Sequence, residues 1–137
     1  MNDCIFCKII EKQIPSTIIY EDTVVLGILD INPANKGHVL IIVKNHYPDT
    51  ITTPEDEFVS VMAATKMIAK ATITALGADA YNIIINNGKA SGQVIPHLHV
   101  HIVPRFPDDG LHLEWPHKKY AEGEIDEIAG KIRGELE

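Results

Sequence analysis

Three histidines alternate with apolar residues in the segment His97-Leu98-His99-Val100-His101-Ile102-Val103. Side chains of an extended strand point to opposite faces in turn. His97, His99 and His101 therefore share one face, and Leu98, Val100 and Ile102 share the other. The apolar set has an evident use in a core. The imidazoles call for a chemical one. Neutral imidazole is a good nucleophile near pH 7, and its cation donates protons and binds anions. A second imidazole two residues along can stabilise a phosphate or protonate a leaving group. A single metal ion held by all three fits less well, because the first and last lie about 13 Å apart along a strand. A half-solvated polar face would accept any polar residue, so it leaves the repeated choice of histidine unexplained.

Cys4 and Cys7 are the only cysteines. The Cys4-x-x-Cys7 spacing is half of a four-ligand zinc site. On spacing alone it is equally a redox pair, or two small residues in a buried turn. The longest apolar run, Val39 to Val43, is far too short for a membrane span, and the first residues lack the basic stretch and long apolar run of a signal peptide. The expectation is a cytoplasmic protein with no membrane association. In a reducing compartment the cysteine pair is better read as metal-binding or redox-active than as a structural disulfide.

The elements that must position these residues are legible from pattern. Ile5 to Glu11 reads as a short helix. Thr17 to Tyr20 and Val24 to Leu29 read as two strands of a hairpin, and His38 to Val43 as a third strand after the Asn32–Gly37 turn. Phe58, Val61, Met62, Thr65, Ala69, Thr72, Ile73 and Leu76 recur at helical spacing. Thr53 is the expected cap of that helix, Pro54 its first residue, and Gly77 its left-handed stop. Tyr81 to Ile85 is a fourth strand. His97 to Val103 is a fifth, stopped by Pro104. Phe106 to Gly123 is irregular, and Gly123 to Leu136 is an amphipathic terminal helix. Short turns between strands and one long helix predict an α+β fold, an antiparallel sheet with the main helix across one face. With 137 residues the chain is expected to be one domain, 1–137. Its net charge of −7 argues against a nucleic-acid partner, while leaving room for a small anion in a local pocket.

The histidine segment resembles the signature of the histidine-triad (HIT) family, His-φ-His-φ-His-φ-φ with φ apolar. Ile5-Phe6 with Ile9-Ile10, Asp30-Ile31 with Pro33 and Gly37-His38-Val39-Leu40, Asn86 to Gly88 with Gly92-Gln93, and Pro104-Arg105 resemble further family segments in the same order. The resemblance implies a HIT-like five-stranded antiparallel sheet. It also implies a hydrolase or nucleotidyl transferase that cuts at the α-phosphate of nucleoside phosphoramidates or dinucleoside polyphosphates. His99 matches the nucleophile that becomes nucleotidylated. His101 matches the histidine that contacts phosphate and assists proton transfer. His38 and Asn86 match phosphate-side positions, Asp30 the ribose carboxylate, and Ile5, Phe6, Ile9, Ile28 and Ile31 the walls around the base. Gly92 and Gln93 match the loop whose backbone amides face phosphate. Val94 stands where the phosphoramidase branch has serine, whereas Asn86 is like that branch. Some branches complete the cysteine pair with two histidines, which implies a structural zinc on Cys4, Cys7, His46 and His97. A purine nucleotide substrate and a homodimer are implied as well, with no catalytic metal. Two other classes remain open: a nucleotide sensor or scaffold with incidental catalysis, and a metal-dependent redox protein built on the cysteine pair.

Overall fold

The computed structural model describes residues 3–137. Its elements are α1 (Ile5–Ile10), β1 (Ile18–Glu21), β2 (Val25–Leu29), β3 (Val39–Val43), α2 (Glu55–Leu76), β4 (Ala80–Ile84), β5 (His99–Arg105) and α3 (Glu124–Leu136), with one 3-10 turn at Lys89–Ser91. All neighbouring strands are antiparallel, in the order β1-β2-β3-β5-β4. The α+β expectation of a five-stranded antiparallel sheet with one main helix and short terminal helices is met.

The sheet separates two apolar clusters. On one face Val25, Val39, Ile41, Val43, Leu98, Val100 and Ile102 pack against Val61, Ala64, Ile68 and Ala69 of α2. On the other, Leu26, Ile28, Leu40 and Ile42 pack against Phe6 and Ile9 of α1. Alternation along β2, β3 and β5 produces this division. Two buried threonines of α2 satisfy their hydroxyls within the helix, Thr65 on the Val61 carbonyl and Thr72 on the Ile68 carbonyl, both at 2.8 Å. By length and composition α2 could cross a bilayer. Here it covers the sheet with one face and exposes Lys66 and Lys70 on the other.

Two boundaries differ from expectation. Pro54, not Thr53, occupies the cap position, and no side chain caps the helix. The Thr53 hydroxyl instead donates to the Asp49 carbonyl at 2.7 Å, closing the preceding turn. Glu55, Asp56 and Glu57 supply the negative charge that a helix N-terminus favours. Gly77 ends α2 in the left-handed conformation, φ 64°, as anticipated.

The second difference concerns β5, which runs from His99 through Pro104 to Arg105. Pro104 does not stop it. The last pair with β3 is Val39↔Ile102, whereas pairing with β4 continues through Tyr81↔Pro104. The Pro104 carbonyl accepts from Asn35 Nδ2 at 2.8 Å, so this side of the residue already lies beyond the β3 ladder and its missing N–H breaks no pair. Asp109 then ties the end of β5 to the turn before β3, bonding Arg105 Nε at 2.8 Å, Asn35 Nδ2 at 2.9 Å and the Phe106 amide at 3.1 Å. These partners, the Arg105 guanidinium first, hold the Asp109 carboxyl far below the usual carboxylate range.

Candidate nucleotide site and metal cluster

Residues from widely separated parts of the chain line one cleft of about 480 Å³ on the α1 face of the sheet. Ile5, Phe6 and Ile9 come from α1, and Ile28, Asp30 and Ile31 from the end of β2 and beyond. Asn86, Gly92 and Gln93 come from the loop after β4, and His99 and His101 from β5. Phe6, Ile9 and Ile28 are also members of the second apolar cluster, so core packing and cleft lining are the same contacts. Ile31 stands at the surface, 87% exposed.

Hydrogen bonds to fixed backbone groups assign the imidazole tautomers. The ring nitrogen facing a carbonyl must carry the proton, and the nitrogen facing an N–H must not. His99 Nδ1 donates to the His97 carbonyl at 2.6 Å, which leaves the lone pair on Nε2. His38 Nδ1 accepts from the Ala34 amide at 3.1 Å. Neutral His38 thus carries its proton on Nε2 and donates to His101 Nδ1, 3.0 Å away. That acceptance puts the His101 proton on Nε2. The 3.8 Å approach of Asp30 to His38 Nδ1 is not an ion pair, because that nitrogen bears no proton. Asp30, His38 and His101 also lie close enough together to hold a metal ion, but the Nδ1 lone pairs of the two imidazoles are engaged by the Ala34 amide and by the His38–His101 hydrogen bond.

Burial keeps these rings neutral. Loss of hydration pushes His99 below the ordinary histidine range, opposed by its bond to the His97 carbonyl. His101 is pushed down to about 4 by burial and then by neighbouring His99 and His38. His38 is lowered by burial, with Asp30 acting in the opposite sense.

His97 lies on the α1 side of the sheet, where its ring meets Phe6 as that of His99 does. It lies just before β5, its amide on the Ile95 carbonyl at 2.8 Å and the next amide on the Tyr47 carbonyl at 2.7 Å. Its Nε2 donates to the Val43 carbonyl at 2.6 Å, so the Nδ1 lone pair faces the cysteines. Cys4 Sγ is 3.3 Å from His97 Nδ1, Cys7 Sγ 3.6 Å from it, Cys7 Sγ 3.4 Å from His46 Nδ1, and the two Nδ1 atoms 3.1 Å apart. Metal bonds of about 2.0–2.3 Å in a tetrahedron put donors roughly 3.3–3.8 Å apart. The sulfur–nitrogen edges fall in that range and the nitrogen–nitrogen edge is slightly shorter, and Val43 supplies the carbonyl that would orient a ligating histidine. Cys4, Cys7, His46 and His97 could therefore hold a metal ion.

The HIT domain family model matches residues 11–108. The chain belongs to the HIT family. Adenylylsulfatase HINT3 of Arabidopsis thaliana is 46% identical over 110 residues, 80% of this chain and 56% of that protein. Adenosine 5′-monophosphoramidase hnt1 of Schizosaccharomyces pombe is 34% identical over 95% of this chain and 98% of that one. Among solved structures, SMU.412c from Streptococcus mutans superposes with a TM-score of 0.94 at 39% identity, covering 100% of this chain and 87% of that one. A zinc-bound histidine triad protein from Mycobacterium smegmatis gives 0.77 at 37% identity, covering 99% of each chain.

Within this HIT domain the expected residues converge on the cleft except His38, which stands behind His101. A second cleft of about 250 Å³ opens there, lined by His38, Asn82, Asn86, His101, Arg105 and His112 among others. Gly92 and Gln93 line the cleft, in a loop where the amides of Ser91, Gly92 and Gln93 bond carbonyls of the same loop, Gly92 to Lys89 at 3.0 Å. The Gln93 carboxamide braces the loop, accepting from the Gly88 amide at 2.7 Å and donating to the Pro48 carbonyl at 2.7 Å. Three backbone groups escaped the sequence reading: the Ala34 amide and the His97 and Val43 carbonyls. Backbone polarity is the same at every residue, so no sequence signal marks them.

Linkage predicts acid sensitivity. His38 and His101 bind a proton near 6.5 in the unfolded chain and only at lower pH when folded, about 4 for His101. Below pH 6.5 the unfolded chain holds more protons, so stability is full above that pH and falls towards pH 4, His101 contributing up to about 1.4 kcal/mol per pH unit and His38 acting in the same direction. Urea unfolding from pH 7 to pH 4.5 measures this slope. His101→Gln is expected to make it shallower by close to one proton; an unchanged slope contradicts the assignment.

Proposed function

We propose that this HIT protein hydrolyses nucleotides at the α-phosphate, with His99 as nucleophile and a nucleoside monophosphate as product. The observation that carries this reading is the His99 tautomer: Nδ1 is tied to the His97 carbonyl, so Nε2 keeps a lone pair in the cleft. Burial that holds the ring neutral keeps that lone pair available at pH 7. In the first step Nε2 attacks the α-phosphorus, the N–P bond forms and the bond to the leaving group breaks. Water then cleaves the nucleotidyl-histidine. His101, with its proton on Nε2, donates to the phosphate or the leaving atom. An arriving phosphate opposes the burial that keeps His101 neutral and raises its affinity for a proton.

Asp30 serves as acceptor for ribose hydroxyls, Asn86 and His38 attend the phosphate side, and the apolar residues of α1 and β2 enclose a purine. The activities named for the yeast and plant relatives, on an adenosine phosphoramidate and an adenylyl sulfate, support an adenine nucleotide with a small leaving group. Incubation with adenosine 5′-phosphoramidate, adenylyl sulfate and diadenosine polyphosphate is expected to release AMP. His99→Ala is expected to slow this by roughly a thousandfold or more while the chain still binds AMP. Binding without release by the wild type would instead favour a nucleotide sensor.

The ion suited to two thiolates and two imidazoles at tetrahedral spacing is Zn²⁺, and the zinc-bound mycobacterial relative agrees. Cys4, Cys7, His46 and His97 would hold it as a structural clamp, outside the hydrolytic steps. Elemental analysis is expected to find one zinc per chain. Cys7→Ser should lose it and melt lower, on the order of 10 °C at saturating metal; zinc retained by that variant places the ion elsewhere.

The outer edge of β4 and the adjoining face of α2 are assigned to a second copy of the chain. Met67, Tyr81 and Ile83 are 49%, 50% and 40% exposed there, beside an open sheet edge. Sedimentation equilibrium should return a dimer, and Tyr81→Glu should shift it toward monomer. A monomeric wild type at micromolar concentration overturns the assignment.

A further inference from the structure

Phe6 lies between Cys4 and Cys7 in sequence, and between the metal cluster and His99 in space. It is 4% exposed. Its ring meets His99 edge-on, centroids 4.8 Å apart at 74°, and His97 at 5.8 Å and 88°. His101 flanks the His99 ring at 4.9 Å. The nucleophile's ring is thus set by three contacts: the His97 carbonyl on Nδ1, the Phe6 ring and the His101 ring.

Two of the three lead back to the cluster. His97 offers its carbonyl to His99 and its Nδ1 to the cluster. Phe6 belongs to α1, a six-residue helix whose N-cap is Cys4 and which contains Cys7. Cys4 Sγ accepts from the Cys7 amide at 3.5 Å, so the first turn of α1 and the cluster share atoms. A helix this short has little stability of its own. Its position follows the cluster and the apolar residues beneath it. Aromatic pairs of this geometry have a preferred orientation worth more than their buried area. A shift of α1 therefore reaches the His99 ring.

We propose that Phe6 is a positioning residue for His99, and that the state of the Cys4–Cys7–His46–His97 cluster sets the nucleophile's orientation through it. The effect on turnover rests on the hydrolase reading; the effect on the ring does not.

The test is a two-by-two comparison. Wild type and Phe6→Leu are each prepared loaded with one equivalent of zinc and stripped with a chelator. The His99 side-chain nitrogens are read by NMR on ¹⁵N-histidine protein, and kcat and KM for adenosine 5′-phosphoramidate are measured. In loaded protein, Phe6→Leu should move the His99 ring signals and lower kcat about tenfold, with KM changed less than about threefold. Stripping the wild type should move the same signals, and stripping Phe6→Leu should move them much less. A KM rise with kcat and the His99 signals unchanged would make Phe6 only a wall of the base pocket. Equal effects of stripping in both proteins would mean that the cluster does not act through Phe6. If Phe6→Leu fails to fold, Phe6→Met takes its place, and unchanged His99 signals on stripping the wild type overturn the proposal without any variant. An inactive wild type whose ring signals still respond would sink the hydrolase reading and keep the coupling.

Discussion

The alternation of β5 against α2 is the constraint on which the site depends. Leu98, Val100 and Ile102 are fully buried against the helix face. Burial of each such side chain contributes about 1.5–3 kcal/mol. A slip of one residue would forfeit that and drive His99 and His101 under α2, where imidazoles have no partners. The register Ile42↔His99 and Leu40↔His101 is therefore held from the apolar side. The histidine face inherits its precision from packing on the opposite face.

From that register the tautomers follow as a chain of local consequences. A backbone carbonyl fixes one proton on His99, and a backbone amide fixes the lone pair on His38, which in turn fixes the proton on His101. None of these steps needs a charged side chain. Burial does the remaining work by disfavouring the cations. The result is a set of neutral rings with assigned protons and a lone pair left on His99 Nε2.

The cleft and the metal cluster are built on the same short helix. α1 lays Phe6 and Ile9 on the sheet while its cysteines face His46 and His97. Phe6, the cluster and His99 are consequently one packed unit. The loop of Gln93 is different in kind. Its carboxamide and internal amide bonds make it a self-braced rim of the cleft.

Periodicity and residue chemistry made much of this legible in advance. The two-residue repeat in the histidine segment, the helical repeat from Phe58 to Leu76 and the stop at Gly77 are local properties, and local sterics and burial enforce them wherever the chain folds. The family motifs likewise pointed to His99, His101, Asp30 and Asn86 as neighbours, and the structure puts them around one cleft. What tertiary structure alone decided depends on backbone groups and on segments far apart in the chain. The start of α2 moved because Thr53 found Asp49, and β5 ran past Pro104 because β3 had already ended on that side. The Gly92 amide is bonded to the Lys89 carbonyl because the loop closes on itself. Residue types announce which atoms can donate or accept. Only the folded chain decides which partner each one meets, because every backbone offers the same amide and carbonyl.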